Sequence, residues 1–191
     1  MMNRWLSSML LAATVPIAVS SAQQYQVNRA SDGSFATKII GIPFNQGSSL
    51  QRERILLNIP SSPVQITATS LTYDYKERGF QYKVRTTFQT QQPIAAVELR
   101  YLLYDLFGDH LRNLSDTEAK DLTPGEHVVD GTWNVFREND VGEHLTTVAF
   151  VAKVRYSDRK VWSFQLEPLA AALRSLNLEQ KIEAEDRPPA R

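Results

Sequence analysis

Phe80-Gln81-Tyr82-Lys83-Val84-Arg85-Thr86-Thr87-Phe88-Gln89 is the stretch on which the fold turns. Phe80, Tyr82, Val84, Thr86 and Phe88 alternate with Gln81, Lys83, Arg85, Thr87 and Gln89, and a period of two sends successive side chains to opposite faces of a strand. One face is therefore buried and the other solvated. Outward from this stretch, strands are expected over Val64 to Tyr75, Ile94 to Asp105, His127 to Phe136, Leu145 to Tyr156 and Val161 to Leu166, punctuated by Gly, Pro, Asp and Asn. No helical period separates them, so parallel crossover units are excluded and an antiparallel sandwich or barrel is favoured.

The chain of 191 residues divides around this body. Arg4 precedes an apolar run from Met9 to Val19 that ends in Val19-Ser20-Ser21-Ala22, which predicts a signal peptide over residues 1–22, cut after Ala22. The run is too short to span a bilayer's hydrocarbon core, so no membrane span is expected. Residues 23–60 read as an irregular arm with turn clusters at Ser31-Asp32-Gly33-Ser34 and Asn45-Gln46-Gly47-Ser48-Ser49. Its apolar pieces, Ile39 to Phe44 and Ile55 to Ile59, could each add an edge strand. The sandwich occupies residues 61–166, and residues 167–191 form a helix and a disordered tail.

Composition narrows the function. Lys+Arg and Asp+Glu balance at 21 each, so the basic excess of a nucleic-acid or anionic-membrane binder is missing. There is no cysteine, which excludes disulfides, thiolate metal sites, a cysteine nucleophile and lipidation of an N-terminal cysteine. A cysteine-free exported domain points to the periplasm, or else to secretion.

Tyr101-Leu102-Leu103-Tyr104-Asp105, then Gly108, then Asp121-Leu122-Thr123-Pro124-Gly125-Glu126 resembles the FxLYD type of immunoglobulin-like domain of secreted and cell-envelope proteins. It departs from that pattern in having Tyr101 for the phenylalanine and in lacking a glycine after Asp158 in Tyr156-Ser157-Asp158-Arg159-Lys160-Val161. The resemblance covers about residues 64 to 166. It implies an all-β, antiparallel immunoglobulin-like sandwich with no catalytic residues to carry over. The motif residues have structural uses of their own: Asp105 opens a turn whose fourth residue is Gly108, and Pro124-Gly125 suits a type II turn.

Candidate chemistry is sparse. His110, His127 and His144 are the residues a metal site would draw on, but the strand order puts His127 at the opposite end from the other two, so no metal or other cofactor is expected. No Gly-x-Ser-x-Gly elbow occurs. Trp133, in phase with Val129 and Val135, and Trp162, in phase with Phe164 and Leu166, point into the core rather than into a carbohydrate cleft.

The informative surplus is apolar. From Ile94 onward, Val97, Leu99, Tyr101 and Leu103 face inward, yet Leu102 and Tyr104 lie on the other face beside Glu98 and Arg100. From Leu145 onward, Val148, Phe150, Ala152, Val154 and Tyr156 form the inner set, leaving Ala149 and Val151 outside. With Val161 these make an outer patch that needs a cover. Glu167-Pro168 opens a helical pattern with Leu169, Leu173 and Leu176, which either folds back over the patch or meets a partner. Leu102, Tyr104, Ala149, Val151, Val161, Leu169, Leu173 and Leu176 are thus the expected docking or partner face. The expected function is non-catalytic binding of another envelope or secreted protein. The alternative is a small periplasmic hydrolase or ligand-binding protein with a loop-built site, which a polar pocket with converging acids or histidines would favour.

Overall fold

A computed structural model describes residues 24–34, 51–76, 79–134 and 138–182. The expected signal peptide over 1–22, the apolar piece from Ile39 to Phe44, Val135 and Phe136, and the expected tail from Glu183 lie outside the described residues. The remainder is mostly β, in two sheets with a short C-terminal helix.

The smaller sheet is built on the alternating stretch. β3 (Val64–Lys76), β4 (Gly79–Thr90) and β7 (Gly125–Asn134) pair antiparallel in that order. In β4, Phe80, Tyr82, Val84, Thr86 and Phe88 are buried and the intervening residues are not, which is the period of two made visible.

The larger sheet runs β1 (Gln26–Ser34), β2 (Gln51–Asn58), β8 (Thr146–Tyr156), β5 (Ile94–Tyr104), β6 (His110–Glu118), with β9 (Val161–Ser163) also on β8. One edge of β8 is divided between two neighbours. Thr146 to Phe150 pair with β2 and Lys153 to Arg155 pair with β9.

This arrangement corrects the expected arm. β2 is an interior strand, not an edge, and it pairs parallel to β8, so the sheet is not antiparallel throughout. Two of its polar residues, Arg54 and Asn58, bind the backbone of β3. The Asn58 side chain donates to the Ile66 carbonyl (2.8 Å) and accepts from the Ile66 N–H (2.9 Å), while Arg54 donates to the Thr69 carbonyl. Side chains thereby cap the edge of β3 at Ile66 and Thr69 and tie the two sheets together. Ile55 and Leu57 leave β2 on the opposite face.

Two hydrophobic cores follow. Between the sheets lie Tyr82, Val84, Phe88, Val129 and Trp133 from the smaller one and Val97, Leu99, Tyr101, Leu103, Ala149 and Val151 from the larger. On the far side of the larger sheet, Ile55, Leu57, Leu102, Tyr104, Val148, Phe150 and Ala152 pack against the C-terminal helix α2 (Leu166–Ser175). The expected phase of β8 is therefore reversed over residues 148 to 152. Glu98 pairs with Lys153 but Leu99 pairs with Val151, so Ala152 is an extra residue, and beyond this bulge Val154 returns to the inner core.

Three elements were not read from sequence: β1 falls where a turn cluster was expected. β6 carries few apolar residues, and α1 (Glu138–Glu143) is a single short helix. β9 also stops sooner than expected: Leu166 starts α2 and is 62% exposed, so it does not share a core face with half-buried Trp162.

Candidate interaction site

The outer face of the larger sheet is covered by the chain's own end. Pro168 sits in the first turn of α2, where a helix has no carbonyl for its missing N–H. Leu169 and Leu173 project from α2 onto Leu102, Tyr104 and Phe150, with Leu176 partly buried beside them. The helix then ends in a Schellman motif. Asn177 takes the left-handed conformation (φ 57°), its N–H donates to Arg174, and the Leu178 N–H reaches back to Leu173 (both 3.0 Å). That turn sends Leu178 to Ile182 back across the sheet. Tyr104 donates from its hydroxyl to the Glu179 carbonyl (3.0 Å), and Arg100 donates to the Ile182 carbonyl (3.3 Å).

The motif glycine takes part in this closure. As expected, Asp105 opens a turn: its carboxylate accepts from the Phe107 and Asp109 N–H groups, and its carbonyl accepts from Gly108. Gly108 has φ 86°, and a Cβ there would lie 2.6 Å from the Asn177 carbonyl oxygen. Its own carbonyl accepts from the Glu179 N–H (3.0 Å).

Of the expected docking face, the structure brings together Leu102, Tyr104, Leu169, Leu173 and Leu176, all within one molecule. Ala149 and Val151 belong to the opposite, inner core, a consequence of the β8 phase. Val161 is not part of that core and is 57% exposed.

What stays open is the other flank of the helix. Between β1 and α2 runs a groove of about 840 Å³, with Tyr25 and Val27 on the strand side and Leu166, Pro168, Ala171 and Ala172 on the helix side. Val27 is 41% exposed. Among the described residues Glu167 is the one charged side chain lining it. Sequence reasoning missed the strand half of this groove because the turn cluster from Ser31 to Ser34 masked the alternation of Tyr25 and Val27 with their polar neighbours.

The histidines do not converge. Tyr104 pairs with both His110 and Thr146, placing His110 and His144 at one end, while His127 pairs with Phe88 at the other. Among the described residues no group of three potential metal ligands is found. His144 is buried in a polar brace: its Nε2 meets the Thr147 hydroxyl (2.9 Å), its ring lies edge-on to Tyr73, and Arg52 donates to its carbonyl (3.1 Å) and to that of Val141 (2.8 Å). Burial first, and then the Arg52 charge, pull the imidazole down to about 3. Arg52 thus pins α1 and the start of β8 to β2.

No family model and no curated protein matches this chain. Among solved structures, a hypothetical protein from Peptoclostridium difficile 630 is similar, at 11% identity and a TM-score of 0.44, over 65% of this chain and 95% of that one.

Proposed function

We propose that this chain is a non-catalytic interaction module of the periplasm or the secreted space, released by cleavage near Ala22, and that its body is an immunoglobulin-like sandwich. The groove between β1 and α2 is where it receives another envelope or secreted protein. The observation that carries this reading is the pairing of exposed Val27 and Leu166 along one apolar concavity, after the chain's own helix has covered the rest of that face. Phe107 and Val128 are also exposed, but they lie outside the groove and need no partner. The small-residue end of the apolar N-terminal run, the FxLYD-like residues from Tyr101 to Gly125 and the absence of cysteine support the envelope setting. Among the described residues no helix is long and apolar enough to cross a membrane.

The test is site-specific photocrosslinking in cells with a probe at Val27 or Ala171, and with a control probe at Thr87 on the solvated face of β4. A discrete adduct at the first two positions, lost when Leu166→Asp is added, supports the reading. Equal labelling at all three positions, or turnover of a small substrate that tracks a site elsewhere, overturns it.

A further inference from the structure

β1 and β3 are both terminal strands of their sheets, but they are treated differently. The edge of β3 is capped at Ile66 and Thr69 by the Asn58 and Arg54 side chains. Among the described residues β1 pairs with β2 alone, and Gln26 to Ala30 are all exposed. An open strand edge offers a row of backbone donors and acceptors to another strand.

The groove lies on the face where such a strand would place its side chains. Tyr25, just before β1, and Val27 lie on one face, because Val27 pairs with Leu57, whose side chain belongs with Tyr25 to the core under α2. A strand added beside β1 sends every second side chain to that same face. There it meets Leu166 and Pro168 at one end of α2, while Ala171, Ala172 and Ser175 are small enough to leave it room. Charge selects further. Arg29 on that face is paired with Glu53 at 3.8 Å, whereas Glu167 stands exposed in the first turn of α2 with no ion pair among the described residues.

Resting on the interaction-module reading, we propose that β1 accepts a strand from another polypeptide, an extended segment with alternating apolar residues and a basic residue that reaches Glu167. The backbone supplies the affinity, and the groove and the carboxylate supply the choice of partner.

A labelled peptide of alternating Val and Ser with a central Lys tests this on the mature protein, beside the same peptide with a central Glu. The Lys peptide is expected to saturate at least tenfold tighter, Glu167→Lys to invert the preference, and amide exchange over Gln26 to Ala30 to slow when the peptide is bound. No saturable binding, or binding indifferent to Glu167→Lys and without protection in β1, overturns the proposal. If sedimentation shows the protein pairing with itself through β1, so that Val27→Lys restores a monomer, the occupant is a second copy and the proposal fails. Crosslinks at Val27 in cells without peptide binding would leave the interaction module standing and remove strand addition alone.

Discussion

Arg159 takes the left-handed conformation (φ 73°) in the turn from β8 to β9, where the resemblance led us to expect a glycine. Its N–H bonds to the Tyr156 carbonyl and the Asp158 carboxylate accepts from the Lys160 N–H, so the turn holds despite the Cβ strain. Arg159→Gly should raise stability by about 0.5–1 kcal/mol, part of the strain being offset by glycine's greater freedom in the unfolded chain. A denaturant midpoint at or below that of the natural protein would contradict this. His144 gives a second expectation, with a definite sign. Its folded pKa of about 3 lies below the ordinary value of 6.5, so above pH 6.5 the ring is neutral in both states and stability is at its full value. Between pH 6.5 and 3 only the unfolded chain takes up the proton, and stability falls by about 1.4 kcal/mol per pH unit from this group. His144→Asn should start less stable at pH 7 and lose less on acidification to pH 4. Parallel urea-midpoint curves for the two proteins would show that the acid limb belongs to other groups.

The last helix is the element with the clearest energetic stake. Leu169 and Leu173 are fully buried by an intramolecular contact. Leu173→Ala should therefore cost about 2–5 kcal/mol, and a chain ending at Gln165 should lose more, because Leu178 and Ile182 leave with the helix. If calorimetry found the truncated chain as stable as the full one, the docking of α2 would be in doubt. The two faces of β5 could be read from sequence because Val97, Leu99, Tyr101 and Leu103 alternate with a set that mixes charge and apolar residues. β8 could not, since apolar residues on both faces leave a period of two without a phase, and the extra residue at Ala152 shifts it midway. The piece from Ile55 to Ile59 announced part of β2, but its interior place was hidden for a different reason: Arg52, Arg54 and Asn58 look solvated until their partners about 8 to 92 residues away are known. The same holds for the groove. Its helix wall was announced by Glu167-Pro168, but its strand wall exists only because β1 pairs with β2.

At the scale of the molecule, two layers of core and one strap of C-terminal chain all meet on the larger sheet, and β8 stands at its centre between β2, β9 and β5. The parallel register of β2 against β8 joins Glu53 to Thr146 and Leu57 to Phe150. A polypeptide that is made or exported from its N-terminus thus presents β1 and β2 long before the strand that receives them. Until residue 150 has emerged, the apolar side of that hairpin has no sheet to join, and contacts so distant along the chain are slow to form. A fragment ending at Glu143 should accordingly show no cooperative melting and should bind a hydrophobic dye, whereas the chain to Ile182 folds in one step; a cooperative transition in the fragment would point to an independent N-terminal unit instead. Under the export proposed above, the late arrival of β8 would act as a timer, keeping the domain loose enough to be threaded and committing it to its final shape only when β8 has crossed.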